Sequence, residues 1–305
     1  MAHVDRRGFL KASLAGLAAA ASPGAHAAQA PGVPQARTFS LAYLTVFGCP
    51  PPEMTYLAGR AGYDFVSLRP ISMNLPGEPV FDLARDPVLL RQTRTALAAT
   101  GLRVHDIELA RIGDGVDARS WQPALEVGAA LGAQRVISSI WTADRTFALE
   151  AFATVCELAR PLGLTIDLEF VTFANLKTLR DARDFLDAAR QPNVGILVDM
   201  LHCSRSRVPL AELDGVPRDL LHFVHVCDGA VPWDATDQAL IHTARDERLY
   251  LGEGGIDVAA IMRRLPPVVC SIELPHTARV REMGYAEHAF RCLETTKAYF
   301  SQRGL

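Results

Sequence analysis

The chain has 305 residues, of which 49% are hydrophobic and 21% charged, with 31 Lys and Arg against 34 Asp and Glu and a formal net charge of −3. That apolar content excludes disorder of the whole chain, and the balanced charge excludes a global positive field of the kind that holds a nucleic-acid backbone. The length admits one large α/β barrel or two ordinary domains.

Residues 1–30 read as a targeting segment and take no part in the fold. Arg6, Arg7 and Lys11 form a basic end, Leu14 to Ala21 is a short apolar stretch, and Ala25-His26-Ala27 has the small residue, any residue, small residue form of a cleavage site. The apolar stretch falls well short of the roughly 20 residues a bilayer requires, so no stable membrane insertion is expected. The run Asp5-Arg6-Arg7-Gly8-Phe9-Leu10-Lys11 resembles a twin-arginine signal, an address read by a receptor. The resemblance implies export of a folded protein to the periplasm or beyond.

From Thr38 onward, short β-branched or aromatic runs alternate with segments of helical spacing, the pattern of βα units around a parallel sheet. Predicted strands are Ser40 to Val46, Tyr63 to Arg69, Arg103 to Glu108, Arg135 to Ile140, Thr165 to Phe170, Gly195 to Met200, His222 to Cys227 and Val269 to Leu274. Predicted helices are Pro51 to Arg60, Pro87 to Thr100, Ser120 to Leu131, Thr146 to Arg160, Leu176 to Ala189, Leu210 to Asp214, Asp257 to Leu265 and Ala286 to Phe300. Gly62, Gly101, Gly132 and Gly163 sit where such helices would stop. Eight units closing on themselves make a (β/α)8 TIM barrel, expected as a single domain over residues 38–305, with its chemistry at the carboxyl ends of the strands.

An open doubly wound sheet is the rival, but the first βα turn, Phe47-Gly48-Cys49-Pro50-Pro51, lacks the glycine fingerprint of a dinucleotide site. Gly252-Glu253-Gly254-Gly255 reads as a turn in preference to a phosphate cradle. The stretch 228–259 reads as one long connection of the lid or binding type, carrying Trp233, His242, Arg245, Arg248 and Tyr250. Six widely scattered cysteines without a Cys-x-x-Cys pair are expected to be mostly free thiols.

Strands buried on both faces should be continuously apolar, so polar groups at their ends require an explanation. Glu169, Asp199, His225 and Glu273 occupy equivalent places at strands five to eight. Three carboxylates converging on a barrel mouth repel one another, and a divalent cation between them removes the problem. Oxygen donors with one nitrogen and no thiolate suit manganese best, with magnesium, cobalt and zinc also open.

The segments around Glu169, Asp199-Met200-Leu201-His202, His225-Val226-Cys227-Asp228, Leu251 to Asp257 and Ser271-Ile272-Glu273 resemble the sugar isomerase and epimerase superfamily, the xylose isomerase-like barrels. The resemblance covers the chain after Thr38. It implies a divalent metal held by Glu169, Asp199, His225 and Glu273, a ketose or related polyol as substrate, and His202 in contact with substrate oxygen. It also implies an arginine after the seventh strand, for which Arg245 and Arg248 are the candidates. Related barrels are often dimers or tetramers, so a homo-oligomer is one expectation beside a stable monomer.

The chemistry expected is proton abstraction next to a carbonyl, with the metal stabilising the enediolate and Glu169 and Glu273 on opposite sides of the carbon. His202 would donate to developing oxyanion charge. Arg69 and Glu108 would either orient substrate groups or pair with each other at the barrel mouth, and Trp141 would wall one sugar face or cap the core. His105, Arg111 and Phe47 are weaker candidates. A metal-dependent dehydratase or lyase on a keto-sugar, keto-glycoside, keto-inositol or hydroxylated cyclic acid shares the first step. An exported sugar-binding protein without turnover is the alternative of a different class. DNA-repair endonucleases of the same barrel family fit poorly, because the extra histidine ligands expected after strands two and three have no match near Arg69 and Glu108.

Overall fold

Residues 37–73 and 77–305 are described by the structure, a computed structural model, and the export signal expected in residues 1–30 lies outside them. Strands and helices alternate as β1 (Phe39–Leu41), α1 (Pro51–Ala61), β2 (Phe65–Leu68), α2 (Pro87–Thr100), β3 (Arg103–Ile112), α3 (Gln122–Ala130), β4 (Arg135–Ile140), α4 (Arg145–Ala159), β5 (Thr165–Glu169), α5 (Leu179–Ala189) and β6 (Val194–Asp199). They continue with α6 (Met200–Arg205), α7 (Leu210–Asp214), β7 (Phe223–Val226), α8 (Asp237–Asp246), α9 (Val258–Met262), β8 (Val269–Ile272) and α10 (Thr277–Arg303). The eight strands close in sequence order into one parallel barrel, with Ser271 of β8 opposite both Ser40 of β1 and His225 of β7.

The expected (β/α)8 barrel is therefore what the chain forms, with local differences that have physical reasons. β1 stops at Leu41 instead of Val46, because Tyr43–Val46 winds into a 3-10 turn and the Thr45 hydroxyl donates to the Ile272 carbonyl at 2.7 Å. β3 runs past Glu108 to Ile112, and an irregularity between Ile107 and Ala110 lets its far end pair with Ser138, Ser139 and Ile140. The stretch 228–259 is not a plain connection: α8 lies inside it, capped by the Thr236 side chain. α10 starts at Thr277, well before the predicted Ala286. Gly284, at φ 78° and ψ 167°, breaks the helical path, so the periodic pattern is continuous only beyond it. Gly62, Gly101, Gly132 and Gly163 all take the left-handed conformation expected of chain stops after helices.

Side chains alternate across each strand. Val66, Ile166, Leu168, Ile196, Val198, Val224, Val226 and Ile272 join the main core with the helices, whereas Leu109, Ile137, Leu197 and Phe223 form a separate small cluster inside the barrel. A one-residue slip of any strand would exchange these two sets, so the apolar outer layer fixes the register. With the register fixed, Glu169, Asp199, His225 and Glu273 fall on the inward side at the carboxyl ends. The β7–β8 ladder extends one step to deliver the last of them, the Glu273 amide donating to the Val226 carbonyl at 3.2 Å.

Below these residues the barrel interior holds a hydrogen-bonded pair, the fully buried Asp167 and the partly buried His222, 2.6 Å apart. Gly195, in register with Asp167, makes room for it: a Cβ there would run into both the carboxylate and the imidazole. Since Asp167 is fully buried and cannot retreat into water, Gly195→Ala is expected to destabilise the fold by about 3 kcal/mol, measured by urea denaturation.

The glycine cluster at 252–255 is a turn, and an internal carboxylate fills it. Asp228 accepts hydrogen bonds from the amides of Gly229 and Ile256 on one oxygen and of Gly252 and Gly254 on the other, at 2.8 to 3.1 Å. All six cysteines are buried free thiols. Among the described residues no helix is long and apolar enough to cross a membrane.

Candidate metal centre

Glu169 and Asp199 are the last residues of β5 and β6, His225 lies within β7, and Glu273 follows β8. One potential ligand atom from each lies within 4.8 Å of all the others, and all four side chains are buried. His225 Nδ1 is 3.3 Å from Glu273 Oε2, 3.4 Å from Glu169 Oε1 and 3.7 Å from Asp199 Oδ2. Even so, both His225 nitrogens and Glu169 Oε1 lack a hydrogen-bond partner. Unsatisfied buried polar atoms of this kind are costly unless something coordinates them.

Arg248 supplies one compensating charge. Its guanidinium contacts Asp199 Oδ2 at 2.6 Å and Glu273 Oε2 at 2.8 Å, and it also donates to the carbonyls of Ala244 and Glu273. Expected among the substrate contacts, Arg248 is 2% exposed and commits its donors to protein groups. Each pair of ionised carboxylates at such separations repels by about 3–4 kcal/mol at an effective dielectric near 20. Three such repulsions rival the entire stability of a domain. With three carboxylates ionised, His225 neutral as a ligand must be, and one guanidinium present, two negative charges are left, which a divalent cation neutralises. The donor set, the orphaned atoms and the charge all fit such an ion, and Glu169, Asp199, His225 and Glu273 would hold it. Three oxygens and one nitrogen do not by themselves select manganese over zinc.

The cluster is electrostatically asymmetric. Burial pushes the Glu169 carboxyl up to about 7, against the pull of the His225 ring. Burial acts to raise Glu273 as well, but His225 and Arg248 beside it hold it below the usual carboxylate range. Burial opposes a charge on His225, yet Glu273 and Glu169 lift its basicity well above the ordinary.

Asp199 also caps α6, its Oδ1 accepting from the His202 amide at 2.9 Å, and this short helix sets the His202 ring into the cleft above the cluster. Burial lowers the His202 pKa to about 4, so the ring is neutral. Its Nδ1 lies 3.2 Å from the Thr172 hydroxyl, which leaves Nε2 for a ligand. Phe173 packs edge-on against His202 and against Trp141, so one wall of the cleft is aromatic.

Arg69 and Glu108 form a buried ion pair at 2.6 Å, with Glu78 3.3 Å from the other side of Arg69. The amide of Tyr43 and the hydroxyl of Ser67 donate to Glu108 as well. Arg69 and Glu108 thus pair with each other and still line the cleft, together with Trp141, His202, Arg245, Arg248 and three of the four clustered residues, Glu169, His225 and Glu273, with Asp199 fully buried behind them. His105 and Arg111 are not among the lining residues: the His105 ring packs edge-on to Phe223, and Arg111 lies over the Trp141 ring at 3.9 Å. Phe47 lines the neighbouring pocket instead. Sequence reasoning missed Thr172 and Phe173. Their signal is positional, since both follow closely after Glu169 at the carboxyl end of β5, where a barrel presents functional groups.

Residues 56–296 match the family described as xylose isomerase-like TIM barrel, and the chain belongs to that family. No curated protein matches the chain. Among solved structures it is similar to the IOLI protein with a bound zinc atom, with 18% identity and a TM-score of 0.72 over 87% of this chain and 99% of that one. It is also similar to D-allulose 3-epimerase from Methylomonas sp. in complex with D-allulose, with 19% identity and a TM-score of 0.64 over 86% of this chain and 97% of that one. A third similar structure is the 3-keto-D-glucoside 4-epimerase YcjR from E. coli, with 17% identity and a TM-score of 0.62 over 85% of this chain and 100% of that one. At these identities the likeness establishes the fold.

Proposed function

We propose that the protein is a divalent-metal-dependent isomerase or epimerase of a polyhydroxy carbonyl compound, working by proton transfer at the carbon next to the carbonyl. The observation that carries this reading is the buried cluster of Glu169, Asp199, His225 and Glu273, with its unpartnered atoms, at the floor of a cleft that His202 and Trp141 also line. The folds of two epimerases named above add support.

A bound divalent metal supplies Lewis acidity that stabilises negative charge on the carbonyl oxygen and its neighbour. Glu169, whose Oε1 has no hydrogen-bond partner, is the carboxylate free to take the carbon-bound proton. Glu273, held ionised by Arg248, serves the opposite face, with roles exchanged in the reverse direction. His202, positioned by Asp199 and Thr172, bonds a substrate oxygen through Nε2. Trp141 and Phe173 exclude water from that side and lie against the apolar face of the carbon skeleton. Export is part of the proposal, on the strength of Arg6, Arg7 and Ala25-His26-Ala27.

The test is a proton-exchange screen in deuterated water, using metal-loaded protein with ketoses, inososes and keto-glycosides. Deuterium entering one carbon of an unaltered skeleton, abolished by chelation, is the expected result. An unsaturated product would instead make the enzyme a lyase, and sugar binding without exchange in the metal-loaded protein would leave a binding protein. Thr172→Val is expected to lower turnover about tenfold while leaving metal affinity unchanged, because it loosens the His202 ring and touches none of the four clustered residues. Parallel metal titration and steady-state kinetics check this.

A further inference from the structure

A second cavity adjoins the cleft. It has a volume of about 390 Å³, and Leu44 and Arg245 line both spaces. Its walls come from the segment after β1 (Leu44, Thr45, Phe47), from the end of α8 (Arg245, Asp246) and from the start of α10 (Thr277, Val280, Arg281). Two arginines face it, and they differ from Arg69 and Arg248, which are ion-paired. Arg245 and Arg281 make no hydrogen bond or ion pair among the described residues, and Arg245 is half-buried.

The one acidic side chain on the cavity wall is already engaged. Asp246 accepts from the Thr277 hydroxyl at 2.6 Å and faces His242 Nδ1 at 3.5 Å. The pocket therefore carries an excess of positive charge, and burial together with nearby Arg69 makes the proton on Arg245 less firmly held. A half-buried guanidinium without a partner is a ready receptor for an oxyanion, since its planar fork matches carboxylate and phosphate alike.

We infer that the side cavity is an oxyanion subsite, and that the substrate carries a carboxylate or phosphate held by Arg245 and Arg281 while its polyhydroxy carbonyl end reaches the four-residue cluster. This rests on the isomerase reading for the second half of the statement only. It narrows the substrate class from neutral ketoses to acidic ones, such as keto-sugar acids or sugar phosphates. It also gives Arg245 a specificity role distinct from the structural pairing of Arg248.

Calorimetric titration of the full, metal-loaded chain with D-glucuronate, D-glucose 6-phosphate and D-glucose tests it. At least one acidic probe is expected to bind about tenfold or more tightly than D-glucose, and the stronger of the two identifies the anion. Arg245→Gln and, separately, the exposed Arg281→Gln should each reduce that preference, with metal affinity unchanged. Equal binding of all three probes, or a preference that survives both substitutions, overturns the subsite. The two readings fail separately. An arginine-dependent preference in a protein that binds no metal sustains the subsite and ends the metal-dependent reading, whereas proton exchange on neutral ketoses with no acidic preference does the reverse.

Discussion

Glu169→Gln is expected to lower solvent-deuterium exchange by about 10³-fold at saturating metal, near the middle of the range that a positioned acid or base supplies. The substitution keeps the side-chain volume and one oxygen acceptor and removes only the charge and the capacity to carry a proton. Metal affinity should also fall, by roughly 10–100-fold, because one of three anionic donors becomes neutral. The two effects are separable: raising the metal concentration restores occupancy, whereas exchange stays low. Recovery of full exchange at saturating metal would show that Glu169 only holds the ion. Glu273→Gln is expected to behave similarly, with an added loss of stability because Arg248 loses one of its two carboxylate partners.

Arg248→Leu is expected to destabilise the protein by about 3–5 kcal/mol when no metal is present. Leucine fills much of the apolar space but leaves Asp199 and Glu273 buried with only the His225 ring beside them, and removing one partner of a buried pair is the costly case. For a chain of this size that corresponds to a fall in Tm of roughly 5–9 °C. A divalent ion should recover more stability in the variant than in the parent, since the cluster then carries one more uncompensated negative charge and the ion binds only the folded state. Thermal unfolding of both proteins with and without metal reads this directly. An unchanged Tm would mean that Arg248 is not the counter-charge the geometry describes.

The barrel was legible in the sequence because a parallel sheet covered on both faces leaves an unusual signature. β4 matches its predicted range, and β5 to β8 are found within two residues, because each is a largely apolar run, and β5 to β8 each carry a charged or titratable residue at or beside the carboxyl end. The same anomaly exposed Glu169, Asp199, His225 and Glu273, which the fold brings together. What the sequence concealed is long-range. Arg248 lies 49 residues from Asp199, and no local spacing announces that its guanidinium turns inward to the carboxylates and not toward a substrate. The Arg69–Glu108 pair likewise joins two strands, so sequence offered substrate contact and mutual pairing on equal terms. α8 was hidden because Asp237–Asp246 is too polar to show a buried stripe, and α6 because six residues show hardly more than one turn of periodicity. Its start was nevertheless written in the sequence, since Asp199 is an N-cap residue as well as a strand end.

The central claim is that four side chains from consecutive strands meet around one divalent cation. An anomalous difference map from a crystal grown with manganese or zinc tests it most directly. The account predicts a single strong peak per chain, about 2.0–2.3 Å from donor atoms of Glu169, Asp199, His225 and Glu273. A peak bonded to other residues, or no peak at these four in crystals that hold the metal elsewhere, would contradict it.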